Sequence, residues 1–377
     1  MSVLFEKTSI KRMELKNRLV RSATHEGRSD ENGYPTEALF KYYEKLAKGG
    51  VGMLITGYAY ISPDGISAAF GMQGISSDGH IPKYRELVEV GHRYGTAMVM
   101  QIAHCGLYSA VPQPLAPSAV VNKFTGVVAE EMTEEDIERV IEAFAQASRR
   151  VKESGFDGVQ IHAAHGFLIN QFTSPYTNKR TDRWGGSLEN RMRFLNEVYK
   201  RCRAQVGEDY PLLAKISAWD KTAEGIKPEE GVVMAQMMAE MGFDGIEVSC
   251  GILEDVGSVA YGHGTYGTDP PQAYNREVAK AIKSKVKVPV FVVGGITDPA
   301  VMEDIVTNGD ADYLSMSRGL VADPNFPKRL EEGNLKPAVC IHCNLCYGYI
   351  LTEPLRCYQG KKLEGKEPLF EEILVLK

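Results

Sequence analysis

Short apolar runs punctuate this chain at near-regular intervals, with amphipathic stretches between them. The strand candidates are RLVRSA (18–23), GVGMLITG (50–57), TAMVMQI (96–102), DGVQIH (157–162), LLAKISA (212–218), GIEVS (245–249), PVFVVGG (289–295) and DYLSMSR (312–318). They are near-continuously apolar rather than strictly alternating, as expected of parallel strands covered on their outer face. The intervening segments carry helical spacing. Residues 37–48 place Leu39, Tyr42, Tyr43 and Leu46 on one face, and 134–154 place Ile137, Val140, Ile141 and Phe144 on one stripe. Thr133 and Asp136 read as a capping box for the second, and Asp298-Pro299 as the N-cap and first turn of a helix over 299–307. Helices are also predicted over 188–206, 228–241 and 273–285. Eight strand-then-helix units predict an α/β fold, a (β/α)8 TIM barrel over residues 1–335. A doubly wound sheet is disfavoured, because no G-x-G-x-x-G opens a helix after the first strand. Residues 336–377 form a short cysteine-containing extension that includes a charged run, GKKLEGKEPLFEEI, and is too short for a second nucleotide-binding domain.

Composition changes this picture mainly by exclusion. The 377 residues carry a net charge of −6, so no basic field draws the protein to nucleic acid or anionic lipid. No apolar run is long enough for a membrane helix. The opening MSVLFEKTSIKRMELKNR is charged throughout, so no signal peptide is expected and a cytoplasmic location is the default. Cys105, Cys202 and Cys250 are scattered and read as small buried hydrophobes. Cys340, Cys343, Cys346 and Cys357 are clustered instead, with the spacing C-x2-C-x2-C-x10-C.

In a barrel of this kind the chemistry sits at the C-terminal ends of the strands. Those ends hold Ala23, Thr24 and His25; Gly57; Gln101 and His104; His162 and His165; Lys215; Gly294 and Gly295; and Ser317 and Arg318. The set is polar, glycine-rich and basic, and suits a planar, phosphorylated cofactor. Glycines after the seventh and eighth strands let backbone N–H groups approach a phosphate closely, and Arg318 adds a cation.

The strings KNRLV (16–20), QIAHCG (101–106), GFDGVQIHAAHG (155–166), NKRTDRWGGSLENRMRF (178–194) and SRGLVADP (317–324) resemble Old Yellow Enzyme. More narrowly, they are similar to the NADH:flavin oxidoreductase branch, nearest the FMN barrel domain of 2,4-dienoyl-CoA reductase. The likeness runs from about residue 5 to 330 in the right order. It implies FMN held non-covalently and NAD(P)H as hydride donor. Ala23, Thr24 and His25 would lie along the flavin edge, Gly57 against the ring, Gln101 at the pyrimidine part and Lys215 near N1 and O2. Gly294, Gly295, Ser317 and Arg318 would cradle the phosphate. A cation at Lys215 makes independent sense, because reduced flavin is anionic. The resemblance also implies that His162 and His165 hydrogen-bond the carbonyl oxygen of an electron-poor alkene, stabilising the enolate formed as hydride reaches the β-carbon. It implies a small-molecule unsaturated carbonyl substrate and a homo-oligomer; it does not choose between NADH and NADPH.

The chain departs from this family at Phe167, where a proton-donating Tyr is usual. Phenylalanine has no proton to give, so saturation of a C=C needs water or a nearby hydroxyl such as Tyr58, Tyr108 or Tyr176. The cysteine segment, CIHCNLCYGYILTEPLRC (340–357), has spacing that suits an iron–sulfur cube and resembles the cluster segment of the dienoyl-CoA reductase branch, which has one more residue in its third gap and a longer final one. With the chain ending at Lys377, a [4Fe–4S] cluster there would take electrons from a partner flavoprotein. A structural zinc and an empty remnant stand beside that reading. Three function classes therefore compete: an FMN ene-reductase, an electron-transfer component using FMN and a cluster, and a tRNA dihydrouridine synthase. The last would need a basic face that an acidic chain does not provide.

Overall fold

A computed structural model describes residues 2–253 and 272–359 of the chain. Eight strands form its centre: β1 (Leu19–Arg21), β2 (Met53–Ile55), β3 (Ala97–Ala103), β4 (Gly158–Ala163), β5 (Leu212–Ser217), β6 (Ile246–Ser249), β7 (Val290–Val293) and β8 (Tyr313–Met316). Each pairs in parallel with the next, and β8 pairs with β1, so the sheet closes into the expected TIM barrel. Around it lie α1 (Glu37–Lys48), α2 (Ile81–His92), α3 (Glu134–Glu153), α4 (Leu188–Val206), α5 (Pro228–Met241), α6 (Arg276–Lys283), α7 (Pro299–Thr307) and α8 (Phe326–Glu331).

Local chemistry sets several of these boundaries. The Thr133 hydroxyl accepts from the Asp136 N–H, and the Asp136 carboxylate accepts from the Thr133 N–H, each at 3.1 Å, which satisfies two otherwise orphaned donors at the start of α3. The Asp298 carboxylate accepts from the Ala300 N–H at 2.8 Å and Pro299 opens α7. α5 stops at Gly242, whose φ of +107° is left-handed and whose hydrogen faces Tyr199; a Cβ there would lie 2.3 Å from the Tyr199 hydroxyl. α6 starts three residues later than its spacing predicts, because Ala273 takes a φ of +49° and breaks the helix before Asn275.

The two faces of each strand bury different things. On β5, the outward Leu212, Ala214 and Ile216 join the large core shared with the helices. The inward set is Leu213, Lys215 and Ser217. Leu213 packs inside the barrel with Val20, Met53, Ile55, Val99, Phe291 and Tyr313. A hairpin of Thr8–Ile10 and Met13–Leu15 brings Ile10, Met13 and Leu15 onto the same cluster and plugs the N-terminal end of the barrel. The interior is thus apolar at the N-terminal end of the strands and polar at the other, which positions the site.

The extension does not stand apart. Ala338 donates its N–H to the Thr297 carbonyl at 3.0 Å, and Leu355 donates to the Glu26 carbonyl at 2.8 Å. Residues 336–359 therefore lie across the C-terminal face of the barrel. The charged run GKKLEGKEPLFEEI lies outside the described residues. Among the described residues, no helix is long and apolar enough to cross a membrane.

Candidate active site

A cavity of about 570 Å³ opens at the C-terminal mouth of the barrel. Its wall includes Ala23, Thr24, His25, Gln101, His162, His165, Lys215, Gly294, Gly295, Ser317 and Arg318, so the structure brings together all but one of the barrel residues proposed from the sequence for catalysis or cofactor binding. The exception is Gly57, which does not line the cavity. Its N–H donates to the Glu26 carboxylate and to the Tyr43 hydroxyl, each at 3.1 Å, and a Cβ would sit 1.9 Å from Glu26 Oε2. Glu26 fills the space on the side of Gly57 where a Cβ would stand.

The floor of the cavity is a buried chain of polar side chains on adjacent strands. Gln101 Nε2 donates to Gln160 Oε1 at 2.7 Å, and Gln160 Nε2 donates to Glu247 Oε2 at 3.0 Å. Ser22 Oγ donates to Glu247 Oε1 at 2.6 Å, and Lys215 Nζ donates to Ser22 Oγ at 2.9 Å, while standing 3.6 Å from Glu247. Parallel register makes this possible: Gln160 lies opposite Gln101, and Lys215 lies opposite both His162 and Glu247. Burial lowers the Lys215 ammonium's pKa, against which the Glu247 carboxylate raises it. Glu247, Gln160 and Ser22, which hold Gln101 and Lys215 in place, were missed by sequence reasoning. A single carboxylate in GIEVS gives no hint of its partner until the strands are in register.

His162 and His165 face one another at the end of β4, ring centroids 5.2 Å apart and edge to face. His165 adopts a φ of +62°, held by its N–H donating to Ser217 Oγ at 2.9 Å, and its Nε2 meets Ser249 Oγ at 2.7 Å. His162 is buried, and its Nδ1 has no hydrogen-bond partner among the described residues. Burial, with the Lys215 cation nearby, pushes both imidazoles well below their ordinary pKa, so both are neutral at pH 7. His25 is held by a 2.8 Å contact between its Nε2 and the Phe70 carbonyl, and burial lowers it to about 4. Its tautomer follows from that contact: Nε2 is the donor.

Phe167 packs its ring 4.9 Å from His162 and 5.0 Å from Tyr58. Tyr58 also stands 5.9 Å from His162 and 5.4 Å from His25. Of the three hydroxyls considered from the sequence, Tyr58 and Tyr108 line the cavity; Tyr176 does not, and instead accepts a hydrogen bond from Lys123.

At the opposite end of the cavity, Gly294 and Gly295 have φ of +131° and +66°. A Cβ on Gly294 would lie 2.5 Å from the Tyr274 ring. Thr24 and Ser317 hydroxyls meet at 2.7 Å, and Arg318 donates to Asn344 Oδ1 at 2.5 Å. These residues fit a flavin mononucleotide on the structure's own terms. The cavity has the volume of a cofactor site, one end is lined by glycine backbone and an arginine, and the buried Gln101 and Lys215 side chains face it.

The long string 178–194 does not reach the cavity. It braces the scaffold. Asn178 Nδ2 donates to the Phe172 and Trp184 carbonyls at 2.7 and 2.8 Å; Arg180 donates to the Pro117 and Met132 carbonyls at 3.0 and 2.8 Å; Trp184 Nε1 donates to Glu134 at 2.8 Å.

Cys340, Cys343, Cys346 and Cys357 line one small second cavity, with Arg318 on its wall. Burial raises the Cys340 thiol and pushes that of Cys346 up to about 12. Among the described residues, however, no group of three His, Cys, Asp or Glu side chains is arranged to hold a metal ion.

Comparison with known proteins agrees with the geometry. Residues 3–336 match the NADH:flavin oxidoreductase / NADH oxidase family. The chain is 36% identical over 382 residues to the NADH oxidase of Thermoanaerobacter brockii, covering 98% of this chain and 57% of that protein. It is 36% identical over 331 residues to the NADPH dehydrogenase of Bacillus subtilis, covering 86% of this chain and 93% of that one. A structure of 2-naphthoyl-CoA reductase with 2-naphthoyl-CoA superposes with a TM-score of 0.87 at 29% identity, over 94% of this chain and 56% of that one. The chain spans a little over half the length of the first curated relatives it matches. A family match over nearly the whole barrel, on a closed eight-stranded fold whose mouth fits a flavin, places this chain in the NADH:flavin oxidoreductase / NADH oxidase family.

Proposed function

We propose that this chain is an FMN-dependent oxidoreductase that uses NAD(P)H to reduce an activated alkene, an enone or enoyl compound, or a similar acceptor. The observation that carries the reading is the pair of neutral imidazoles, His162 buried and His165 partly buried, beside Lys215 at the cavity floor. Thr24, His25, Gln101 and Lys215 would hold the isoalloxazine, and Gly294, Gly295, Ser317 and Arg318 the phosphate. When bound, FMN supplies hydride exchange with the nicotinamide and with the acceptor.

The rest is work for the chain's own side chains. Two neutral imidazoles donate N–H bonds to a carbonyl oxygen, and their donation strengthens as negative charge develops there. Neutral rings suit this task because they need not lose a proton to the developing oxyanion. The Gln101–Gln160–Glu247–Ser22–Lys215 chain fixes the floor, so the donors need not reorganise during turnover. Phe167 excludes water from the flank of His162 and supplies no proton. We assign the proton donor to Tyr58, whose ring stands between His25 and Phe167 and faces His162. Burial raises its hydroxyl well above its ordinary pKa, which keeps it protonated at any working pH.

Stopped-flow mixing under anaerobic conditions tests the reading. The FMN-loaded protein should be bleached by NADH or NADPH, and 2-cyclohexenone should then restore its colour and yield cyclohexanone with no second protein present. Reduction without any turnover of an enone would refute it and favour the electron-transfer reading, which has no cluster geometry among the described residues to support it.

A further inference from the structure

His342 belongs to no role described so far. It lies between Cys340 and Cys343 in the segment that crosses the barrel mouth, and its side chain turns away from the cysteines' small cavity into the large one. Only 5% of it is exposed, yet among the described residues neither ring nitrogen has a hydrogen-bond partner. Burying an imidazole without a partner is costly, so an orphaned ring aimed into a cavity points to a ligand there. The backbone points the same way. His342 holds a φ of +56°, a left-handed conformation that a residue with a side chain adopts at a cost, and Asn344 two residues on holds +58°. Asn344 is the residue that accepts from Arg318, and Arg318 lines both cavities. The two left-handed residues thus divide one job: Asn344 fastens the segment to the arginine, and His342 delivers an imidazole to the same end of the large cavity, where Gly294 and Gly295 expose backbone.

We infer that His342 is a phosphate-binding residue of the cofactor site, contributed by the cysteine segment rather than by the barrel. The inference rests on the FMN reading given above. An imidazole N–H completes an anion cradle that the barrel leaves open on its outer side. It also ties cofactor affinity to the fold of residues 340–346: whatever orders that segment strengthens phosphate binding, and by linkage bound phosphate orders the segment.

Flavin fluorescence gives the test without any turnover. Apoprotein is titrated with FMN and, separately, with riboflavin, which lacks the phosphate. His342→Ala should weaken FMN binding by about tenfold or more, as expected for loss of one hydrogen bond to a charged group, and leave riboflavin binding unchanged. His342→Gln, which keeps an N–H donor, should recover part of the loss. Thermal melting of each apoprotein checks that the variants fold. Equal loss for FMN and riboflavin would overturn the inference, since the ring would then merely pack. So would an unchanged FMN affinity in His342→Ala. A wild-type apoprotein that binds neither flavin would instead overturn the FMN reading, a result distinguishable from the other two.

Discussion

Lys215 and His342 line the same cavity and are supported in opposite ways. Lys215 sits on β5 with a strand on either side; its ammonium finds Ser22, and the Glu247 carboxylate lies one step beyond. His342 sits in a loop at positive φ with two stranded nitrogens. Both are buried and both carry nitrogen chemistry, so burial alone does not distinguish them. The difference is that the floor satisfies its polar groups internally and is organised before any ligand arrives. The segment across the mouth is completed only by what it binds. A barrel can therefore keep its reactive floor while the covering segment varies, and the two regions should respond differently to the same kind of insult.

The largest effect is expected at the floor. Lys215→Ala strands the fully buried Glu247 carboxylate, and removing one partner of such a pair costs about 3–5 kcal/mol. Urea unfolding of the apoprotein measures it, and a second change, Glu247→Gln, should return much of the loss. His342→Ala, in contrast, should leave apoprotein stability unchanged or slightly improved, because it removes a group that has no partner. Equal destabilisation by the two changes would break the comparison.

His162→Ala comes next. It should lower enone turnover by about 10²–10³-fold, as for loss of one oxyanion donor, with FMN affinity retained. Because burial holds both imidazoles well below their ordinary pKa, the pair should contribute no ionisation to the rate profile between pH 6 and 8. An inflection in that range that vanishes in His162→Ala would contradict the neutral pair. Tyr58→Phe should slow product formation by about 10²-fold if its hydroxyl is the acid, and Phe167→Tyr should restore turnover in that background.

A smaller effect sharpens the view of the floor's surroundings. Burial raises the Glu26 carboxyl to about 7, against its Arg21 partner at 3.6 Å. Its folded pKa is above its unfolded one, so the native state binds the extra proton between about pH 4.5 and 7, and wild-type stability from this group falls as pH rises through that window. Glu26→Gln mimics the protonated form. Its melting temperature relative to wild type should therefore climb from pH 5 to pH 8; a flat difference would show that Glu26 titrates normally.

The smallest effect belongs to the cysteines. Cys357 is exposed and Cys105, Cys202 and Cys250 are buried. In native protein treated with chelator, a thiol reagent should label Cys357 first, and Cys357→Ser should alter stability by less than about 0.5 kcal/mol. Protection of Cys357, together with iron and sulfide in the untreated protein, would show that the segment rearranges to hold a cluster.

What the sequence made legible follows the same division. All eight barrel strands and the ends of α1, α4, α5 and α7 could be read from apolar runs and caps, because strand burial and helix periodicity are local signals. α2 escaped: it opens on Ile81 and Pro82 with a His80 contact to Ser77 instead of a side-chain cap of its own. At the site, Lys215 and the His162–His165 pair stood out by residue type at strand ends. Glu247 did not, since its meaning depends on its register beside Lys215. The Glu26 carboxylate beside Gly57 was not legible either, because a glycine at a strand end looks the same whatever packs against it. His342 was hidden among cysteines, where its neighbours draw the eye to metal chemistry.

The claim on which the rest depends is that the barrel mouth binds one flavin over the Gln101–Lys215 floor, beside the His162–His165 pair. Titrating the apoprotein with FMN while following flavin fluorescence and the visible spectrum tests it most directly. The account predicts one FMN bound per chain, with fluorescence quenched and the absorption bands shifted from those of free flavin. FMN that keeps its free fluorescence and spectrum at saturating protein would contradict it.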